Sequence, residues 1–165
     1  MKVNKVAEFE SVFNIVDGLV EGSLSLVFNN PEIEIKNYGK REAKTPEKFG
    51  VTPLRLDLTK LIKDSGWSSN INIFRESKEV IHFLFNDVAM QLSFGNHAMG
   101  YYDILKLRQA YEIGLAEFTL LVSLNPTSIK KYELSGSLVN FSKISVLYKE
   151  FTSFLNFPII FLELD

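Results

Sequence analysis

The strongest constraint on this chain is a pair of apolar runs separated by only two residues. Val80–Phe85 and residues 88–94 are predominantly apolar, and only Asn86-Asp87 lies between them. Runs of this length and type form strands, and a two-residue connection joins antiparallel neighbours. The sequence therefore predicts a β-hairpin, in which side chains two residues apart project from the same face.

Helical and strand patterns alternate along the rest of the chain. Apolar residues recur at helical spacing in residues 2–16, 54–65, 98–111 and 138–154. Shorter apolar or alternating runs predict strands at residues 19–28, 32–38, 70–74, 118–124 and 158–162, and residues 39–53 form a long loop. The chain of 165 residues has no repeat or linker. It is therefore expected to be a single α/β domain, residues 1–165, with a mixed β-sheet flanked by helices.

Composition removes several classes of function. The chain has no cysteine, which excludes disulfides, thiolate metal sites and a cysteine nucleophile. The N-terminus lacks the apolar stretch of a secretory signal, and no apolar run reaches the roughly 20 residues that cross a bilayer, so we expect a cytoplasmic protein without membrane insertion. The formal net charge is −2, and any nucleic-acid binding would therefore depend on a local basic patch.

The hairpin leads into a motif with family resemblance. Val88-Ala89-Met90-Gln91 is followed by Phe94-Gly95-Asn96 and then by Tyr101-Tyr102-Asp103. This segment resembles the BglII and BamHI group of type II restriction endonucleases, within the PD-(D/E)XK superfamily, and the likeness extends over the C-terminal half to two thirds of the chain. The resemblance implies a restriction-endonuclease-like fold, two-fold homodimers, and Mg²⁺-dependent cleavage of DNA in restriction-modification.

The same resemblance identifies the positions that should carry the chemistry. His82 stands at the family's Asp position, Gln91 at its Glu position, and Ser93 at the polar position that follows. Mg²⁺ is a hard cation that binds largely through carboxylates, and all of these groups are neutral replacements. The sequence therefore predicts a pseudo-nuclease with no catalytic residue, no bound metal and no cofactor.

Two other metal sites remain open from the sequence. Asp87 in the predicted turn and Asp103 near the start of a helix could form a relocated Mg²⁺ site, which would make the chain an active endodeoxyribonuclease. His82, His97 and Glu79 could instead gather a transition metal, because imidazole suits zinc and nickel.

Basic residues suggest where a nucleic acid would bind. The candidates for phosphate contacts lie in the long loop, on the third predicted helix and after Pro126: Lys40, Arg41, Lys44, Lys48, Lys106, Arg108, Lys130 and Lys131. Glutamates dilute the charge of the loop and basic loops are common, so ordinary solvation explains the loop residues better than phosphate binding does. Three hypotheses follow: an inactive nuclease-like protein that binds DNA or a defence-system protein, an active endonuclease with a relocated site, and a pure protein-interaction domain.

Overall fold

A computed structural model describes residues 2–5, 34–40, 49–74, 76, 78–151 and 156–165, with the backbone alone for residues 2–5 and 147–149. The described strands are β1 (Lys2–Lys5), β2 (Ser68–Asn72), β3 (Val80–Phe85), β4 (Val88–Leu92), β5 (Phe118–Leu124) and β6 (Ile159–Leu164). The described helices are α1 (Val51–Asp64), α2 (His97–Glu112), α3 (Pro126–Lys131) and α4 (Phe141–Glu150), with a 3-10 helix at Ile35–Tyr38.

The described strands form one mixed sheet in the order β1-β6-β5-β4-β3-β2. Strands β4, β5 and β6 are parallel neighbours, whereas β2 and β3 at one side and β1 at the other run antiparallel to their neighbours. Helix α2 forms the crossover from β4 to β5, as parallel pairs require. The predicted α/β architecture, a mixed sheet flanked by helices, is confirmed.

Helices cover both faces of the sheet. On one face, α1 buries Leu54, Leu58 and Ile62, which lie one helical turn apart and pack in the same core as Met90 of β4. On the other face, α2 and α4 pack over β5 and β6, and the residues of this second core include Ile104, Leu107, Ala110, Ile144, Leu121 and Phe161. Every residue of β4 is buried, which explains why its residues other than Gln91 are apolar and do not alternate with polar ones.

The N-terminal prediction is wrong where the structure tests it. Residues 2–16 were expected to form a helix, but Lys2–Lys5 pair as strand β1 with residues 160–163 of β6. The open edge of β6 offers backbone partners that a local pattern does not reveal, and four residues carry little helical periodicity of their own. Residues 6–16 and the strand predicted at 19–28 lie outside the described residues.

The second predicted strand is also corrected. Residues 32 and 33 are outside the described part of the chain, and Ile35–Tyr38 form a 3-10 helix rather than a strand. Ile35 and Tyr38 are both buried, and a spacing of three residues places them on one side of a helix with three residues per turn.

The later elements match their predictions with shifted ends. Helix α1 begins at Val51, inside the predicted loop, and accommodates Pro53 because the first turn of a helix does not require that N–H. Helix α3 was not predicted, although Asn125 caps it by accepting a hydrogen bond from Thr127 N and Pro126 fills its first position. Each helix in the described part of the chain is too short or too polar to span a bilayer.

Candidate functional site

The β3–β4 hairpin changes its mode of pairing halfway along. At its turn end, Phe83, Leu84 and Phe85 pair with Met90, Ala89 and Val88 in a regular antiparallel register. The turn residue Asn86 has a φ of 48°, the left-handed conformation that two-residue hairpin turns require and that asparagine tolerates. The turn end is therefore held by backbone geometry.

The open end of the hairpin, residues 80–82 with Gln91 and Leu92, is bridged by side chains. The Gln91 carboxamide is fully buried, at 0% exposure. Its Oε1 accepts a hydrogen bond from His82 N at 3.0 Å, and its Nε2 donates one to Val80 O at 3.1 Å. Both backbone groups have fixed polarity, so this arrangement requires one acceptor and one donor, as an amide provides and a carboxylate does not.

His82 forms the second bridge. Its Nδ1 accepts a hydrogen bond from Leu92 N at 3.0 Å, which ties β3 to the end of β4. Burial, together with the positive charges of Arg55 and Lys106, lowers the pKa of His82 to about 3. The imidazole is therefore neutral near pH 7, and because Nδ1 accepts, the ring proton is on Nε2.

Arg55 reaches the same ring from helix α1. Its Nη2 lies 2.5 Å from His82 Nε2, and the side chain is exposed. No local pattern around Arg55 distinguishes it from other helix-surface cations, and it lies 27 residues from His82 in the chain. Arg55 therefore could not be identified from the sequence.

A buried ion pair on α2 completes the site. Lys106 Nζ lies 2.8 Å from Asp103 Oδ1, and these residues are 8% and 4% exposed. Burial raises the pKa of Asp103, although Lys106, Ser93 and Arg55 each oppose that shift. The Ser93 hydroxyl is itself buried without a partner at full hydrogen-bonding geometry, yet it is close enough to Asp103 to favour the carboxylate.

The sequence-predicted residues His82, Gln91 and Ser93 thus converge with groups from α1 and α2, but the donor set does not fit Mg²⁺. Two of the expected ligand positions already have hydrogen-bond partners in the sheet, and the nearby carboxylate of Asp103 is paired with a lysine. The charges that act on His82 are both positive. A divalent cation requires several oxygen ligands with net negative charge, and this pocket offers the opposite balance.

The fallback metal ligands are spread apart. Asp87 is exposed in the turn, where its backbone carbonyl accepts hydrogen bonds from Glu117 N and Phe118 N. It lies four positions before Gln91 in the chain, about 13 Å at the usual rise of a strand. His97 is the first residue of α2. Glu79 is engaged elsewhere, in a hydrogen bond with Tyr102 that raises the pKa of this tyrosine. Within the described residues, no group of three or more histidines and carboxylates is placed to hold a metal.

The predicted basic residues fall into two groups. Lys106 and Arg108 lie on α2, where Lys106 is buried with Asp103 and Arg108 Nη2 contacts Glu112 at 2.6 Å. Lys40 lies near the end of α3, since its N donates to Tyr132 O and its Nζ is 4.0 Å from Glu133, and α3 itself carries Lys130 and Lys131. Arg41, Lys44 and Lys48 lie outside the described residues.

The motif that follows β4 has a clear local role. Phe94 is buried in the core with Met90 and Leu92, and Asn96 caps α2 by accepting a hydrogen bond from Met99 N at 3.1 Å. Gly100 lies where an added Cβ would come within 2.4 Å of Val139 Cγ2, so a glycine lets α2 approach the segment that precedes α4 closely. These contacts fix the start of α2 and thereby place Asp103 and Lys106 beside the open end of the hairpin.

The sheet order and its helical layers define an α/β fold of the restriction-endonuclease type. Among solved structures, the chain is similar to the restriction endonuclease BglII complexed with a DNA 16-mer, with a TM-score of 0.65 and 12% sequence identity over 100% of this chain and 78% of that one. No protein-family model and no curated protein matches the sequence. The predicted restriction-endonuclease-like fold is confirmed.

Proposed function

We propose that this chain is a catalytically inactive restriction-endonuclease-like protein that binds duplex DNA without cleaving it. One observation carries the proposal: the two positions that would hold the metal are used to join strands. Gln91 and His82 bridge the open end of the hairpin through the hydrogen bonds to Val80 O, His82 N and Leu92 N. These atoms lack the negative charge that Mg²⁺ requires, and their hydrogen bonds to the sheet fix their orientation.

Incubation of the pure protein with plasmid and linear DNA tests the inactivity. We expect no cleavage with Mg²⁺ or Mn²⁺, because one lysine-paired carboxylate cannot replace a cluster of anionic ligands. Reproducible cleavage that a chelator stops would contradict the proposal. If such cleavage were also lost in Asp103→Asn, the relocated site that includes Asp103 would be the explanation, with Mg²⁺ as cofactor.

Support for DNA binding comes from fold and charge. The similar structure of BglII contains a DNA 16-mer. In this chain Arg55 is an exposed cation at the open end of the hairpin, and Lys130 and Lys131 are exposed cations of α3. Fluorescence polarisation of a labelled duplex in chelator should show binding that weakens steeply between about 50 and 200 mM salt, as contacts to phosphates require.

A pure protein-interaction domain is the second candidate, and specific ion pairs favour it. Arg108 contacts Glu112, Lys106 contacts Asp103, and Lys40 approaches Glu133, so carboxylates already accompany three of the predicted phosphate ligands. The net charge of −2 points the same way. If polarisation shows no duplex binding at low salt, this candidate replaces DNA binding.

The setting that we propose is cytoplasmic, in a restriction, defence or counter-defence system, with DNA or a defence-system protein as partner and a two-fold homodimer as the working form. This part of the proposal rests on the restriction-endonuclease-like fold. Light scattering after size exclusion should give about twice the chain mass of 18.8 kDa. A monomer at concentrations that saturate DNA would remove the homodimer from the proposal.

A further inference from the structure

The His82 ring faces hydrogen-bond donors on both of its nitrogens. Leu92 N donates to Nδ1 at 3.0 Å, which leaves the single proton of the neutral imidazole on Nε2. Arg55 Nη2 lies 2.5 Å from that Nε2, and a guanidinium nitrogen has hydrogens but no acceptor. Two N–H groups therefore point at each other, an arrangement that repels unless an acceptor takes a hydrogen bond from both.

The electrostatic surroundings favour an acceptor with negative charge. The charges that act on His82 are those of Arg55 and Lys106, and both are positive. The carboxylate of Asp103 is engaged by Lys106 at 2.8 Å. Within the described part of the chain, no carboxylate forms an ion pair with Arg55, whose side chain is exposed to approaching ligands.

From these observations we infer that Arg55 and His82 Nε2–H form a metal-independent site for one phosphate group. A phosphate oxygen accepts from both donors at once, and the guanidinium geometry suits a second hydrogen bond to the same group. The inference rests on the proposed function, because a phosphate of the DNA backbone is the occupant that we assign. It deepens that function by placing a direct contact where a restriction endonuclease of this fold would be expected to hold a metal.

Inorganic phosphate and imidazole NMR provide the first test. In the chelator-treated protein at pH 7, nitrogen-detected spectra should show His82 protonated on Nε2. Added phosphate should shift the Nε2 resonance while the Nδ1 resonance, held by Leu92 N, changes little. Proton exchange between the ring nitrogens, or no phosphate-dependent shift, would overturn the inference.

Matched variants separate the site from the fold. Arg55→Ala should weaken phosphate binding by about tenfold or more, since a charge-assisted hydrogen bond is lost, and Arg55→Lys should recover part of it. His82→Asn retains an oxygen near the Nδ1 position for Leu92 N but removes the outward donor, so it should weaken phosphate binding while remaining folded. Lys60→Ala removes another exposed cation of α1 and should leave binding unchanged. Equal effects of Lys60→Ala and Arg55→Ala would reduce the site to general charge attraction and overturn the inference.

Duplex DNA distinguishes the source of the phosphate. If the occupant is a backbone phosphodiester, Arg55→Ala should lower duplex affinity by about tenfold in chelator and reduce the salt dependence by about one phosphate contact. If free phosphate binds through Arg55 but the wild type does not bind duplex, the site stands for free phosphate groups and the DNA-binding proposal fails. If duplex binds equally to wild type and Arg55→Ala and free phosphate has no effect, the DNA-binding proposal stands and this inference fails.

Discussion

The two ends of the β3–β4 hairpin are held together in different ways. At the turn end, the Phe83, Leu84 and Phe85 backbone pairs with β4, and no particular side chain is required for the ladder. At the open end, the Gln91 carboxamide and the His82 imidazole supply the hydrogen bonds. The turn end should therefore tolerate changes of side chain that keep its turn and core, whereas the open end should depend on the chemical identity of a few residues.

The open end should also depend on α2. Lys106 and Asp103 are buried there as an ion pair, and removal of one charge leaves the other without compensation. We expect Lys106→Met to lower the free energy of unfolding by about 3–5 kcal/mol, measured by urea denaturation at pH 7. Because burial raises the pKa of Asp103, the carboxyl is easiest to accommodate below its usual pKa, and its contribution to stability falls as pH rises through the raised value. The loss in Lys106→Met should therefore shrink on acidification.

The double variant Lys106→Met with Asp103→Asn controls for packing. It leaves no buried charge and should recover a large part of the loss. If the single and double variants are equally destabilised, an uncompensated charge on Asp103 is not the cause of the loss.

A carboxylate at position 91 should weaken the open end by the next largest amount. Gln91→Glu places an oxygen against Val80 O in a site with 0% exposure, and we expect a loss of about 2–3 kcal/mol at pH 7. Low pH should reduce this loss, because a protonated carboxyl again donates. Urea denaturation at several pH values measures both effects. Gln109→Glu on the half-exposed side of α2 is the control, and an equal loss there would contradict the bridging role of Gln91.

Protonation of His82 provides a way to weaken the open end without mutation. The folded-state pKa of about 3 lies below the ordinary histidine pKa of 6.5, so the folded protein binds the proton less readily than the unfolded chain. The stability that His82 contributes is complete above pH 6.5 and is lost as pH falls toward 3, at up to about 1.4 kcal/mol per pH unit. The free energy of unfolding, plotted against pH over this range, should fall more steeply in the wild type than in His82→Asn. Equal slopes would show that His82 is not held neutral.

The turn end should respond least. Asn86 has a φ of 48°. Asn86→Ala should lower the free energy of unfolding by about 1 kcal/mol, because alanine lacks the polar side chain that lets asparagine adopt this left-handed conformation. Asn86→Gly should be close to neutral. Thermal unfolding compares the two variants, and DNA binding measured by polarisation should be unchanged in both. A larger loss of stability in Asn86→Ala than in Gln91→Glu would contradict the view that the open end depends more on side-chain identity than the turn end does.

Local patterns predicted the elements whose partners lie close in sequence. The hairpin, α1, α2 and β5 have strong periodicity or continuous apolar runs, and the structure confirms them within a few residues. Strand β1 was missed because its pairing with β6 joins the two ends of the described chain. No pattern within Lys2–Lys5 contains information about that partner.

The candidate site divides in the same way. Resemblance to a family identified His82 and Gln91 as neutral where carboxylates were expected, and Ser93 as the residue at the polar position that follows. The resemblance contains no information about their contacts. It did not reveal that Gln91 replaces backbone hydrogen bonds, because that role depends on the spacing between two strands. Arg55 could not be found at all, since the fold alone brings α1 to the ring of His82.

The amide of Gln91 also limits how this lineage can change. A single nucleotide separates a glutamine codon from a glutamate codon, so the carboxylate of a nuclease is one mutation away. That mutation arrives in a chain whose strands depend on the amide donor to Val80 O and whose neighbouring cations disfavour a metal. Under the inactivity that we propose, a gain of cleavage activity would require coordinated substitutions at several positions, and selection for folding would act against the intermediates.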